Sequence, residues 1–233
     1  NDGDEELVQL VTATGGHLRL IPYGLPKHTI EQGITRVYFG EQNAQLEVFG
    51  DHNLLNMHAA RLVCHQLGLS DAEFLTAIAT FKGAAKRLEL VAKNDHSVIY
   101  RDFAHAPSKV KATMEATKHQ FPDRKLIAVL ELHTYSSLNA DFLEQYHGAL
   151  DTADIAAVFY SKHALEIKRM PDLAPELIAQ RFGRNDLHVF HNREKLETFL
   201  SAQNYQDTNL LLMSSGTYDG LDFGKLTELL PNN

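Results

Sequence analysis

The stretch VIYRDFAHAPSKV, Val98–Val110, decides the fold. Val98–Phe103 is a short, largely apolar run of strand type. Pro107 follows where a helix can begin, because the first helical turn has no use for the N–H that proline lacks. A strand that passes through a short loop into a helix opens a βα unit. The pattern then recurs. Leu126–Glu131 (LIAVLE), Ile155–Tyr160 (IAAVFY), Leu187–Phe190 (LHVF) and Leu210–Met213 (LLLM) are further short apolar runs flanked by turns. Helical stretches lie at Pro107–His119, Ala140–Leu150, Ala174–Phe182 and Asn192–Ala202. These spacings permit right-handed crossovers and predict an α/β fold, a mainly parallel sheet with helices on both faces.

Upstream of residue 84 the pattern is different. Short extended pieces (His17–Ile21, Arg36–Phe39, Gln45–Phe49) alternate with turn signals at Gly15–Gly16, Pro22 to Pro26, Gly33 and Gly40. After Gln45–Phe49, Gly50 can turn the chain sharply, and GDHNLLNMHAA (Gly50–Ala60) leads into a helix from about Asn53 that runs as Leu54–Leu67. Ser70 and Glu73 form an S-x-x-E capping box ahead of a second helix, Ala72–Phe81, ended by Gly83. The change of pattern predicts two bodies, 1–84 and 85–233.

Composition narrows the partners. The 233 residues carry 30 acidic and 22 basic side chains, net −8, which argues against a nucleic-acid surface and against anionic membranes. No apolar run approaches the length of a membrane span, and the opening NDGDEE is too acidic for a signal peptide. The single Cys64 forms no internal disulfide, which favours a reducing cytoplasm. The chain has no initiating methionine and is expected to be a fragment of a longer protein.

Several sites can be set aside. Gly224–Lys225 is followed by Leu226, so there is no G-x-x-x-x-G-K-[ST] loop, and no G-x-G-x-x-G follows any predicted strand. The absent glycine fingerprint disfavours a dinucleotide-dependent oxidoreductase. None of the 13 histidines has H-E-x-x-H or finger spacing, so no metal ligand is assigned, and His163, His188 and His191 read as surface or strand-end residues. There is no G-x-S-x-G nucleophile elbow.

Four stretches carry candidate chemistry. Asn53 and Asn56, three apart, share a face of the first helical turn, and an amide side chain complements an adenine N6/N7 edge. They could equally cap the helix or face water. Asp102 and His105 sit at the carboxyl end of the first parallel strand, where such sheets place ligands. Asp102 could accept the hydroxyls of a ribose and His105 could face a phosphate. A cap and a partner for a nearby cation are the plainer roles. Arg87, within FKGAAKRLE (Phe81–Glu89), could reach a nucleotide phosphate or remain a solvated charge. The strand ends Glu131–Ser137 (ELHTYSS) and Ser214–Gly220 (SSGTYDG) bring hydroxyls and glycine to the same edge of the sheet, although such loops are also ordinary turns.

Taken together, these stretches resemble the Mur ligase family, the ATP-dependent amide ligases of peptidoglycan metabolism. Gly50, His52, Asn53, Asn56, Ala59 and Ala60 match its G-x-H-N-x-x-N-x-x-A-A. Phe81, Gly83 and Arg87 match F-x-G-x-x-x-R, and Asp102, Phe103, Ala104, His105 and Pro107 match D-[YF]-[AG]-H-x-P. The resemblance implies that 1–84 is the end of a central ATP-binding domain and that 85–233 is a Rossmann-like C-terminal domain. It implies ATP and Mg2+ as cofactors, with the phosphate-binding loop and metal ligands upstream of this sequence. Asn53, Asn56, Arg87, Asp102 and His105 would then contact the nucleotide, with Arg87, Asp102 and His105 in the catalytic group. Thr134, Ser136, Ser137, Ser214, Ser215, Gly216 and Thr217 would meet the incoming amine.

Within the family the resemblance points to members that act on UDP-N-acetylmuramate. Ile127–Glu131 and Met213–Gly220 look like the member that attaches a recovered L-Ala-γ-D-Glu-meso-diaminopimelate tripeptide. His133–Ser136 (HTYS) looks like the member that adds L-alanine. The pattern departs from both at Ala106, where a second His is usual, and at Thr134, where a basic residue is expected. A non-catalytic peptide-binding module is the alternative of another class. The sequence assigns no oligomeric state.

Overall fold

The computed structural model describes residues 3–14, 16 and 19–230. It divides into two compact units, Asn1–Gly83 and Ala84–Asn233.

The first unit holds α1 (Glu5–Thr14), then an antiparallel meander of β1 (His28–Glu31), β2 (Ile34–Phe39) and β3 (Gln42–Leu46), then α2 (Asp51–Gln66) and α3 (Asp71–Ile78). Glu31 pairs with Ile34 and Phe39 with Gln42, so each connection is a two-residue hairpin. Gln32 and Gly33 both have positive φ, as a primed turn requires, and Gly40 supplies positive φ to the second hairpin. Val37, Ala44, Leu46 and Val48 close a core with Leu54 and Met57 of α2 and Phe74 and Leu75 of α3. The Ser70–Glu73 capping box forms as its spacing predicts. Arg61 grips Asp71 with two hydrogen bonds, of 2.5 and 2.8 Å, locking α2 to the start of α3.

Four expectations for this unit need correction. The strand expected at Gln45–Phe49 lies earlier, at Gln42–Leu46, because the Gly40–Glu41 hairpin sets its register against β2. The helix after Gly50 begins at Asp51, and α3 ends at Ile78, short of Gly83. Of the extended piece expected at His17–Ile21, His17 and Leu18 lie outside the described residues, as does Gly15. Leu20 and Ile21 are not in a strand.

The second unit is a six-stranded sheet in the order β4-β5-β9-β6-β7-β8 with helices on both faces. Its strands are β4 (Glu89–Lys93), β5 (Val98–Asp102), β6 (Lys125–Leu132), β7 (Ile155–Tyr160), β8 (His188–Phe190) and β9 (Thr208–Met213). β4 is antiparallel to β5, and every other neighbouring pair is parallel. The last strand, β9, inserts between β5 and β6, so the carboxyl ends of these three strands lie side by side. The central strands are buried along nearly their whole length, which is why they read as apolar runs without alternation. Pro107 opens α4 (Pro107–Gln120) and Pro175 opens α6 (Pro175–Phe182). Asn192 caps α7 (Arg193–Ser201) by accepting from Lys195 N–H. The short α5 (Lys162–Lys168) and the edge strand β4 had no distinct sequence signal. The helix expected over 140–150 is instead a 3-10 turn at Phe142–Tyr146. Asn139 Oδ1 captures the N–H groups of Asp141 and Phe142, and Gly148 takes positive φ, so an α-helix is stopped at both ends.

Candidate active site

In the first unit, Gly50 is the N-cap of α2 with φ 86° and ψ 143°, and no side chain caps the helix. Asn53 is half-buried and donates from Nδ2 to the Phe49 carbonyl at 2.8 Å, so it ties the helix start to the preceding strand exit and does not cap it. Its Oδ1 remains an acceptor. Asn56, one turn on, is exposed and keeps donor and acceptor together at the surface.

In the second unit the assigned residues gather at the carboxyl edge of β5, β9 and β6. Asp102 ends β5 and is only 9% exposed. Its Oδ2 accepts from Leu88 N–H at 2.7 Å. Its Oδ1 accepts from Ala104 N–H at 2.7 Å and, more weakly, from the Thr113 hydroxyl at 3.4 Å. One carboxylate therefore joins three segments: the approach to β4, the loop after β5 and α4. The approach is strained, since Lys86 and the buried Leu88 both have positive φ. Arg87 stands between them, exposed, with Asp102 holding its neighbour in place. Lys86 N–H is held in turn by Glu89, whose carboxyl lies below its usual range because of the hydrogen bond from Arg101.

His105 is fixed by both ring and backbone. Its Nδ1 lies 2.8 Å from the Phe103 carbonyl, which can only accept, so this nitrogen carries a proton and Nε2 has no hydrogen-bond partner among the described residues. Phe103 packs edge-on against the ring, and the Tyr146 hydroxyl donates to the His105 carbonyl. Burial raises the Tyr146 phenol to about 12, so it is a permanent donor at neutral pH.

The loops after β6 and β9 form a second junction. Glu131, the second-to-last residue of β6, has a side chain 1% exposed. Its Oε2 accepts from the Ser214 hydroxyl and from Tyr218 N–H at 2.9 Å, while Oε1 faces His133 Nδ1 at 3.7 Å. Burial pushes the Glu131 carboxyl upward against the two donors that favour its charge. Ser214 Oγ also accepts from Gly216 N–H at 2.6 Å. A Cβ on Gly216 would lie 2.7 Å from His133 and 2.8 Å from Glu131, so only glycine fits here. The fully buried Tyr218 places its hydroxyl 2.9 Å from the Val129 carbonyl and 2.8 Å from that of Met213, pinning the loop to β6 and β9. Thr134 and Ser137 bond each other through hydroxyls and backbone, with Ser136 alongside. That turn is closed on itself, whereas Ser215 leaves a buried, unpartnered hydroxyl.

Arg87, Asp102, His105 and the two serine-rich loops thus share one sheet edge, and Asn53 and Asn56 belong to the other unit. Among the described residues no three His, Cys, Asp or Glu side chains converge as a metal would need.

Residues 86–216, more than half of the chain, match the family described as Mur ligase, glutamate ligase domain. The chain belongs to the Mur ligase family. It is 31% identical over 171 residues to the UDP-N-acetylmuramate–L-alanine ligase of Desulfitobacterium hafniense, covering 72% of this chain and 37% of that protein. The fold matches the UDP-N-acetylmuramate–alanine ligase of Thermotoga maritima with a TM-score of 0.63 at 16% identity, covering 87% of this chain and 43% of that one. It matches a murein peptide ligase of Psychrobacter arcticus with 0.54 at 20% identity, covering 91% and 43%. The chain spans less than two fifths of the length of the first curated relatives it matches.

Sequence reasoning passed over Glu131, His133 and Tyr218 as site residues. One signal was available. A carboxylate closing the apolar run LIAVLE is costly inside a sheet unless donors await it, and a residue of that kind is seldom idle.

Proposed function

We propose that this chain is the C-terminal part of an ATP-dependent ligase that joins the lactyl carboxyl of UDP-N-acetylmuramate to the amine of L-Ala-γ-D-Glu-meso-diaminopimelate. One observation carries this reading. Ile127–Glu131 and Met213–Gly220, which resemble the tripeptide-adding member, meet through the bonds of Glu131 to Ser214 and Tyr218. In this reading 1–84 ends the central ATP-binding domain, 85–233 is the C-terminal domain, and the enzyme works in the cytoplasm. No helix among the described residues is long and apolar enough to cross a membrane.

ATP supplies the phosphoryl group that turns the carboxylate into a reactive acyl phosphate, with Mg2+ balancing charge from ligands outside this chain. Asn56, with donor and acceptor exposed, and Asn53, through its spare Oδ1, suit an adenine edge. Arg87, exposed and without an ion partner among the described residues, suits the phosphates. Asp102 has most of its capacity filled by internal donors, so it serves first by holding the Arg87 segment, with one acceptor site left for a ribose hydroxyl. His105 offers Nε2 to the nucleotide. The loops at Thr134–Ser137 and Ser214–Thr217 receive the amine; once its ammonium has given a proton to solvent, the nitrogen lone pair attacks the acyl carbon, and the tetrahedral intermediate expels inorganic phosphate and a second N–H proton to leave the amide.

Addition of L-alanine is the second reading, favoured by the curated relatives, which are named for that reaction, and by His133–Ser136. Ligation by the full-length protein containing this chain separates the two. With UDP-N-acetylmuramate and ATP, preference for the tripeptide over L-alanine by at least tenfold in kcat/KM is expected. Preference for L-alanine would replace the first reading by the second.

A further inference from the structure

Glu131 is the one carboxylate in the site whose bonding is lopsided. Oε2 takes both strong donors, from Ser214 and Tyr218, and Oε1 meets only His133 at 3.7 Å, beyond hydrogen-bond range. The side chain is 1% exposed, yet Oε1 is not one of the buried atoms left without a partner, so this oxygen stays open to a donor at the end of a strand where ligands enter. Asp219, the other charge felt by Glu131, is also negative. Such a place favours a cation with several N–H groups, and the amine that enters a peptide ligase arrives as a primary ammonium. The neighbouring Ser215 hydroxyl lacks a partner as well. Gly216, with no room for a Cβ, brings the backbone against Glu131 and His133 together.

We propose that Glu131 is a positioning residue for the amine acceptor: through Oε2 it fixes the Ser214–Tyr218 loop and through Oε1 it aligns His133, so that the ends of β6 and β9 form one rigid seat for a primary ammonium. This rests on the ligase reading and is independent of whether the amine is the tripeptide or L-alanine. The role calls on no covalent step at Glu131. Its charge and its loop-holding bonds are separable, because Glu131→Gln keeps an oxygen for Ser214 and Tyr218 N–H and puts a neutral NH2 donor in place of the charged oxygen facing His133.

The test is steady-state kinetics on the full-length ligase with Glu131→Gln, His133→Asn and the double variant. Glu131→Gln should raise KM for the amine at least tenfold and leave KM for ATP within twofold. In the double variant the loss should fall short of the product of the two single losses, because Glu131 and His133 face each other at 3.7 Å and act on one seat. An unchanged amine KM, or equal rises for amine and ATP, would overturn the proposal, as would additive losses in the double variant. A wild-type enzyme that ligates neither amine would overturn the ligase reading itself, whereas normal wild-type ligation with an indifferent Glu131→Gln defeats only this inference. Should Glu131→Gln fail to fold, Ser214→Ala, which removes one donor and keeps the charge, is expected to raise the amine KM by less than His133→Asn does. A larger rise would overturn the account.

Discussion

Asp102 and Glu131 are two buried carboxylates at one edge of one sheet, on strands separated only by β9, and they are built differently. Asp102 uses both oxygens on internal donors, two of them backbone N–H groups of separate segments, and is a scaffold. Glu131 spends one oxygen on structure and turns the other toward a half-exposed histidine. A carboxylate filled mostly by internal donors chiefly holds shape, whereas one with a whole oxygen to spare holds shape and keeps a charge available for a ligand. The short side chain of Asp102 leaves it inside the turn that it closes. The longer Glu131 reaches across from β6 to the loop after β9.

The largest expected effect is on stability. Asp102→Ala strands the N–H groups of Leu88 and Ala104 and should destabilise the 233-residue chain by roughly 3–5 kcal/mol. Glu131→Ala also strands a backbone N–H, but it relieves a buried charge, and should cost only about 1–2 kcal/mol. Urea unfolding of both variants checks the order, and a larger loss at Glu131 would break the comparison.

A smaller effect lies in pH. Glu131 holds its proton more tightly folded than unfolded, so its contribution is full below its ordinary value of 4.5 and is lost as pH rises through the raised folded value. Asp71 in the first unit has the opposite sign. The hydrogen bond from Arg61 leads in lowering its carboxyl below 3.8, so its contribution is present above that value and disappears as pH falls through the lower one. Glu131→Gln should therefore flatten the fall in stability above pH 4.5. Asp71→Asn should flatten the fall at the acid end and cost only about 0.5–1 kcal/mol at neutral pH, as a partly exposed ion pair would. Identical pH profiles for wild type and Glu131→Gln would show that its carboxyl titrates alike folded and unfolded.

The parallel sheet was legible because burial on both faces leaves its strands as unbroken apolar runs, and Ile155–Tyr160 was placed to the residue. What escaped was set by pairing and turns. β1 and β4 are half-exposed strands identified by their partners, and 140–150 has helical composition but is governed by Asn139 and Gly148. At the site, Asp102, His105 and the two loops were visible as motifs. The bond between Glu131 and Ser214 spans 83 residues and joins two stretches whose contact neither string reveals by itself. Distance along the chain hid the contact that organises the loop.

Hydrogen exchange of the full-length protein, read peptide by peptide with and without UDP-N-acetylmuramate and the tripeptide, tests the central claim most directly. Slower exchange across 131–137 and 214–220 is the result this account predicts. Protection elsewhere, with those two segments unchanged at saturating tripeptide, would contradict it.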